Sequence, residues 1–503
     1  MSLPPWLEPL PDAAQMRETD RWAIEERGIP GTQLMERAGT ALADGVARCA
    51  AGGRVAVVCG GGNNGGDGYV AARVLAERGR EVVLLAAKDP SALRGDAAWA
   101  AGTWDGPVAP FSPEALAGAS VVVDCLLGTG VTGAPREDAA AVIRAMREGD
   151  VPVVACDVPS GVDASTGEVA GDAVDAVLTV TFHRAKPGLW IAPGKQHAGE
   201  VEVVGIGIPD GAPVAPEAGL LRDEVLDLHP ARAVDGTKFA SGHVLVVGGS
   251  RGLTGAPCLA ASAAMRAGAG YVTACVPASL EPIFEVKLTE VMTAALPDDE
   301  AGALRADAAS GALSRTDRGG ALVLGPGLGR ADGALACARE VAARAEVALV
   351  LDADGLNAHA GRIADLAART APTILTPHGG ELARLLDVDS DEVRAHRLAL
   401  VRRAAKEAGA IVVLKGDDTL VCTPDGTVAV SPGGAPALAT AGTGDVLSGV
   451  VGAFVARGME PFAAACAAVH VHAEAGRRLA VSLGAEGVIA GDVVDELPLV
   501  LRG

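Results

Sequence analysis

Aromatic side chains are scarce, at 3% of the chain. That removes the stacking platforms on which single-stranded nucleic acids are held. Basic residues are in deficit: 42 Lys and Arg against 63 Asp and Glu leave a net charge of −21. Broad nucleic-acid and anionic-membrane surfaces need clustered cations, so neither is expected here. An anionic ligand must be held locally, by backbone N–H groups, a few cations or bound metal ions. The nine cysteines are odd in number and form no CxxC, which fits reduced thiols better than a disulfide framework. No run approaches the ~18 apolar residues of a membrane span. The opening Met1-Ser2-Leu3-Pro4-Pro5-Trp6 lacks the basic and apolar regions of a signal peptide. There is no GxxxxGK(S/T), so a P-loop NTPase is excluded. These absences leave a cytoplasmic, globular chain, expected to work on small molecules without nucleic acid or membrane.

What is present is apolar and patterned. The chain has 503 residues, 49% of them hydrophobic. At roughly 100–200 residues per domain, two or three domains are expected. Short Val/Ile/Leu runs alternate with Ala-rich amphipathic segments. Runs that apolar suit strands covered on both faces, hence parallel sheets in an α/β protein. The first block should open with helices over Asp12 to about Arg27 and Gln33–Cys49. Its strands are predicted at Arg54–Cys59, Glu81–Leu85, Val121–Val123, Val153–Ala155, Val177–Thr181 and Val201–Val204. Pro209–Pro216 is rich in Pro and Gly and reads as a linker. In the second block, strands are predicted at His243–Val247, Tyr271–Val276, Ala321–Leu324, Ala348–Leu351, Thr373–Leu375 and Ile411–Leu414. A hairpin over Thr419–Val430 should turn at Pro424-Asp425-Gly426.

Ligands of open α/β sheets bind beyond the carboxyl ends of the strands. In the first block three such ends are polar. They are the loop Gly60 to Gly68 (which carries Asn63, Asn64 and Asp67), Asp124 with Gly128-Thr129-Gly130, and Asp157 with Ser160. Gly60, Gly62 and Gly65 form a GxGxxG, a pattern that brings backbone N–H groups to phosphate. An NAD dehydrogenase is disfavoured, because the second strand ends Leu85-Ala86-Ala87-Lys88, without the ribose-binding acid. Asn64, Asp124 and Ser160 could ring a hard, weakly charged cation. Alternatively, Asp124 and Asp157 cap the turns that follow them.

The second block has five polar strand ends. Gly442-Thr443-Gly444-Asp445 opens an apolar helix over Val446–Val455, a pocket for a phosphoryl group with a base in it. His378 sits beside two glycines that allow close approach of a ligand. His470 and His472, two apart on one helix, face away from each other and make a poor metal pair. Cys59, Cys125, Cys156 and Cys275 should pack in the core.

Asn63-Asn64-Gly65-Gly66-Asp67-Gly68, Asp124, Gly128-Thr129-Gly130, Asp157-Val158-Pro159-Ser160-Gly161-Val162-Asp163 and Lys186-Pro187-Gly188 resemble the YjeF N-terminal type NAD(P)H-hydrate epimerases, over about residues 12–208. Gly61 departs from that family, which usually has Pro there. Gly325-Pro326-Gly327-Leu328-Gly329, His378-Gly379-Gly380-Glu381, Lys415-Gly416 and Ala441 to Asp445 resemble the ribokinase-like, ADP-dependent NAD(P)H-hydrate dehydratases, over about residues 225–500.

The resemblance implies an N-terminal Rossmann-like three-layer domain over 1–208, a linker over 209–224 and a ribokinase-like α/β domain over 225–503. It implies epimerisation of R and S hydrates of NADH and NADPH, and dehydration of the S form with ADP and magnesium. Asn63, Asn64, Gly65, Gly66 and Asp67, Gly128 to Ala134 (Gly128, Thr129, Gly130, Val131, Thr132, Gly133, Ala134) and Asp157 would contact the hydrate in the first domain. Asn64, Asp124 and Ser160 would bind potassium. Ala256, Gly327, His378 and Asp445 would contact the hydrate in the second domain. Lys415, Gly416, Asp417, Asp418, Thr419 and Gly444 would hold ADP. Asp157 and Asp445 are the expected catalytic residues. A homo-oligomer is the expected assembly. The rival expectation is a ribokinase-like small-molecule kinase fused to a nucleotide-binding domain.

Overall fold

The computed structural model describes residues 3–232 and 236–502. The chain divides into two compact units. Pro9–Gly219 make up the body of the first, and Pro4–Glu8 with Leu220–Gly503 form the second.

The first unit is a seven-stranded sheet in the order Val108–Pro110, Val82–Ala86, Arg54–Cys59, Ala119–Cys125, Val153–Cys156, Leu178–Phe182, Glu200–Val204. Every adjacent pair is parallel. Successive side chains of a strand point to opposite faces, and both faces here are covered. Val55, Val57 and Cys59 join a core with the helices Gly31–Cys49 and Asn63–Glu77. Ala56 and Val58 join a second core with Val142, Ile143 and Met146 of the helix Glu137–Glu148. This is the three-layer, Rossmann-like arrangement. Strand order reverses between Arg54–Cys59 and Ala119–Cys125, so the loops after those two strands flank the crevice where such sheets bind ligands.

One expectation is corrected. The loop after Arg54–Cys59 is shorter than predicted, because the helix already begins at Asn63. Its glycines serve close packing more than loop freedom. A Cβ on Gly65 would lie 2.1 Å from the Gly60 carbonyl oxygen, and one on Gly68 would lie 2.7 Å from Cys59 Sγ. Only glycine lets this helix start against the strand ends. The sequence also hid the short strands Leu7–Pro9, Val108–Pro110, Ala218–Leu221 and Met292–Leu296, too brief to show a period.

The second unit's sheet runs through Val428–Val430, Leu420–Cys422, Ile411–Leu414, Thr373–Leu375, Ala348–Leu351, Ala321–Leu324, His243–Val247, Tyr271–Pro277 and Met292–Leu296. Leu420–Cys422 pairs antiparallel with both of its neighbours, as the predicted hairpin requires. The rest of this series is parallel. The order reverses between Ala321–Leu324 and His243–Val247, which defines a second switch point. The helix Gly255–Arg266 packs tightly on the helix Thr443–Ala456: a Cβ on Gly449 would meet the Ala260 carbonyl oxygen at 2.1 Å.

Gly68→Val tests the close helix–strand contact. Its Cβ would also lie 2.9 Å from Cys125 Cβ. Overpacking of this kind costs about 1–3 kcal/mol. At about 2–4 °C per kcal/mol for a unit of this size, the first unit's thermal midpoint should fall by several degrees in calorimetry. An unchanged midpoint would contradict the packing.

Candidate active sites

In the first unit a cavity of about 520 Å³ opens at the switch point. Gly61 to Asn64, Leu126 to Val131, Asp67, Asp157 and Lys186 line it, and the helix Ala13–Glu25 adds Met16, Arg17 and Asp20. Thr132, Gly133 and Ala134 lie exposed on the same loop and are not part of this lining. Gly65 and Gly66 are buried in the helix behind the wall.

Asn64, Asp124 and Ser160 come together around Leu127. The Asn64 side-chain amide donates to the Leu127 carbonyl at 2.8 Å, and Ser160 Oγ accepts the Leu127 N–H at 2.9 Å. Asp124 is fully buried and accepts from Ser160 Oγ at 2.7 Å, Ser160 N at 2.8 Å and Leu126 N at 3.1 Å. Burial pushes its carboxyl up, and those three hydrogen bonds oppose the shift. None of the three donors is a cation. Asp124 therefore ties two strand-end loops together and sets a buried carboxyl, without a cation among these donors, beside the oxygen of Ser160.

The second cluster was only partly legible. Lys186 is 1% exposed and donates to Asp157 Oδ1, to Thr181 Oγ1 at 2.8 Å and to the Phe182 carbonyl at 3.2 Å. Thr181 Oγ1 also donates to Asp157 Oδ1 at 3.0 Å. Asp157 is held with φ +65°, in left-handed backbone that favours glycine. Asp67 is buried, and its carboxyl is raised well above the usual range by burial, then by Asp157 and Asp20. Asp20 is pushed up to about 6 by burial, with Lys186 lowering it and Asp157 raising it. Asp20 gave no signal in the sequence, being one acid on an amphipathic helix. Lys186 lay in a quoted motif without an assigned role.

In the second unit the strand ends converge on Lys415. Its ammonium lies 3.0 Å from Asp352 Oδ1 and 3.7 Å from Glu381 Oε2. A Cβ on Gly444 would lie 3.3 Å from Lys415 Nζ, so the Lys415 and Gly442–Asp445 segments meet. Asp445 occupies the first turn of the helix Thr443–Ala456, after Gly442 at φ +95°. Its carboxyl is pushed up to about 7, by burial first, with Asp352 and Glu381 adding and Lys415 opposing. Lys415 is itself raised, because Asp352 and Glu381 outweigh its burial.

His378 bridges to Lys415 through the backbone. Its Nδ1 accepts from Gly380 N at 3.1 Å and Glu381 N at 3.4 Å, capping the helix Gly379–Leu386. That leaves the ring more than half exposed, with Nε2 3.5 Å from Glu381 Oε1. A Cβ on Gly327 (φ +61°) would sit 3.2 Å from Ala256 Cβ, so those two predicted contacts are neighbours. In the Lys415 to Thr419 turn, Thr419 Oγ1 donates to the Gly416 carbonyl at 2.6 Å. Asp418 is buried against Arg397 Nε at 2.8 Å, while Gly416 and Asp417 are exposed. His472 was legible only as an unsuitable metal ligand. Its Nε2 donates to the Thr443 carbonyl at 2.9 Å, and burial holds its pKa at about 4. His470 instead faces Asp223 at 3.6 Å. Among the described residues, no group of three or more His, Cys, Asp or Glu side chains is arranged to hold a metal.

Two open α/β units, each with titratable groups gathered at its strand ends, define an enzyme of small-molecule chemistry. Residues 244–499 match the family described as NAD(P)H-hydrate dehydratase, and residues 31–188 match the YjeF-related protein N-terminus. The chain is 40% identical to the bifunctional NAD(P)H-hydrate repair enzyme Nnr of Moorella thermoacetica, over 97% of this chain and 96% of that one. It is 38% identical to the enzyme of the same name from Salinibacter ruber, over 98% and 96%. It also resembles a crystal structure of an ADP/ATP-dependent NAD(P)H-hydrate dehydratase from Bacillus subtilis, co-crystallised with ATP and Mg2+. That match has 28% identity and a TM-score of 0.48, over 56% of this chain and 96% of that one. The chain belongs to the family of bifunctional NAD(P)H-hydrate repair enzymes, with an epimerase-type unit and a dehydratase unit.

Asp445 also predicts a pH dependence of stability. The folded unit keeps this proton up to about pH 7, whereas an unfolded aspartate releases it near 3.8. Its contribution is therefore full below about pH 4 and is lost as pH rises through about 7. In Asp445→Asn that loss should disappear, so the second unit's urea midpoint should change less between pH 4 and 8 than in wild type. Parallel curves for the two proteins would contradict the raised carboxyl.

Proposed function

We propose that this chain repairs hydrated NADH and NADPH. The first unit interconverts the R and S hydrates. The second converts the S hydrate and ADP to NAD(P)H, AMP and phosphate. The epimerase role falls to residues 1–208 and the dehydratase role to residues 225–503, joined by 209–224. The observation that carries the reading is Asp445, a carboxyl titrating near neutrality at a helix N-terminus beside Lys415.

The chemistry follows from leaving-group quality. Hydroxide leaves poorly, and phosphorylation of the C6 hydroxyl by the β-phosphoryl of ADP makes it a good leaving group. Asp445 accepts the hydroxyl proton. The N–H groups that open the helix Thr443–Ala456 and the Lys415 ammonium face the developing negative charge. Phosphate then departs with the C–O electron pair, driven by the ring-nitrogen lone pair, and loss of a proton restores the dihydronicotinamide. Lys415 to Thr419 and Gly444 hold ADP, and Ala256, Gly327 and His378 contact the hydrate. Magnesium fits as an ion brought in on the phosphates of the nucleotide, since such ions need only one or two protein carboxylates. In the first unit, Asn63, Asn64 and Asp67, Gly128 to Val131 and Asp157 line the cavity and bind the hydrate, with Asp157 as acid/base. A reducing, cytoplasmic compartment suits the nine free cysteines, and the expected assembly is a homo-oligomer.

A kinase of the same fold would keep its phosphorylated product. Release of AMP and inorganic phosphate in step with hydrate consumption therefore decides between the readings. Asp445→Asn should cut dehydration roughly 10²–10⁴-fold while ADP binds within a few fold of wild type. Near-normal turnover would remove Asp445 from the mechanism. Lys415→Ala should weaken ADP binding in titration calorimetry without slowing epimerisation, and an unchanged affinity would refute the nucleotide assignment.

Potassium fits the first unit's oxygen site. When ionised, the buried Asp124 carboxyl carries a charge with no cationic donor among its hydrogen-bond partners; Ser160 Oγ bonds to it, and Asn64 meets the same loop at the Leu127 carbonyl. A bound potassium ion would neutralise that charge and fix the two loops. Asp124→Ala should lose potassium-dependent stabilisation and epimerase activity together, while dehydration of the S hydrate persists. Equal melting curves of the wild type in potassium and lithium buffers would contradict the site.

A further inference from the structure

We propose that Asp20 is a second catalytic residue of the epimerisation, exchanging a proton with the C6 hydroxyl as the partner of Asp157. The inference rests on the epimerase reading of the first unit.

Inversion at C6 passes through a flat carbon, so protons must be given and taken on two sides of the ring. Asp157 reaches the cavity from the end of the strand Val153–Cys156 and Asp20 from the helix Ala13–Glu25. Two different elements thus supply the two carboxyls. The helix presents Asp20 firmly. Asp12 caps it through a capping box, Ala13 N donates to Ser165 Oγ at 3.1 Å, and Met16, Thr19, Trp22 and Ala23 are buried beneath it.

The carboxyls differ in what holds them. Asp157 Oδ1 accepts from Lys186, Thr181 and the Phe182 N–H. Asp67 is enclosed and meets Cys156 Sγ at 3.9 Å. Among the described residues, no hydrogen bond or ion pair engages Asp20, although it lines the cavity. The charged groups facing it are Lys186 and Asp157 from the strand ends and Asp67 from the helix Asn63–Glu77, with Arg17 and Asp96 elsewhere on the wall. Burial, with Asp157, pushes Asp20 up to about 6 against the pull of Lys186, so both protonation states are accessible near neutrality.

The step balances. Protonated Asp20 gives its proton to the C6 hydroxyl. The C6–O bond breaks with its electron pair on oxygen, and water departs. The N1 lone pair forms an N1=C6 bond, leaving a cationic ring beside three carboxyls. Water then adds to the other face. Its electron pair forms the new C6–O bond, the π pair returns to N1, and its proton passes to Asp157 Oδ2. The reverse direction exchanges the two roles, and no oxidant or reductant is needed.

The test uses the full chain and chromatographically separated R and S hydrates. In Asp20→Asn, kcat for interconversion should fall roughly 10²–10⁴-fold, with KM within a few fold and S-hydrate dehydration unchanged. The wild-type rate limb centred near pH 6 should vanish. Formate should restore part of the rate in Asp20→Ala. A kcat for Asp20→Asn within threefold of wild type overturns the role of Asp20 and leaves the epimerase reading standing. A loss without formate rescue, or with weakened hydrate binding, assigns Asp20 a structural role and also overturns the proposal. A wild type that does not interconvert the hydrates at all overturns the epimerase reading itself.

Discussion

Each unit sets one lysine among more carboxylates than it can neutralise, at the carboxyl ends of its parallel strands; Lys186 is buried and Lys415 partly buried. Lys186 serves Asp157, Asp20 and Asp67, and Lys415 serves Asp352, Glu381 and Asp445. A single ammonium in a poorly solvated site cannot hold three carboxylates ionised together, so the excess is relieved by retaining a proton. In the first unit Asp67 and Asp20 are the carboxyls raised, and in the second it is Asp445. Both sites therefore keep a proton that can be given or taken near neutral pH.

The fold delivers both clusters at the carboxyl ends of parallel strands. In the first sheet the strand order reverses beside the strand that leads into the glycine-rich segment, and the reversal leaves a crevice over the strand ends. Glycine then lets backbone approach closely. Gly65 and Gly68 seat the helix Asn63–Glu77 on the first sheet, and Gly449 seats the helix Thr443–Ala456 on its neighbour. These helices begin with unpaired N–H groups at the crevice, where a nucleotide's phosphates would be stabilised.

Much of this was legible in the sequence because it is local. Buried parallel strands are continuous apolar runs, and Arg54–Cys59, His243–Val247 and Ile411–Leu414 could be read residue for residue. Asp124, Ser160, Lys415 and Asp445 stood out because each ends a strand or opens a helix. What stayed hidden is long-range. Asp20 sits more than a hundred residues before Asp157 and Lys186, and nothing in its helix distinguishes it from the other acids there. The helix start at Asn63 was obscured because glycines needed for contact look the same as glycines needed for a loop. The capping role of His378 depends on its own ring orientation, which spacing does not give.

The central claim is that one chain carries two sites in sequence, each organised around its own lysine. The most direct measurement mixes equal amounts of R and S hydrates with ADP and magnesium and follows the near-ultraviolet absorbance of the dihydronicotinamide. Wild type should recover all of the hydrate as NAD(P)H. Lys186→Met should stop near the share present as S, apart from slow uncatalysed epimerisation. Wild type halting at that share, or Lys186→Met recovering everything at the wild-type rate, would contradict the account.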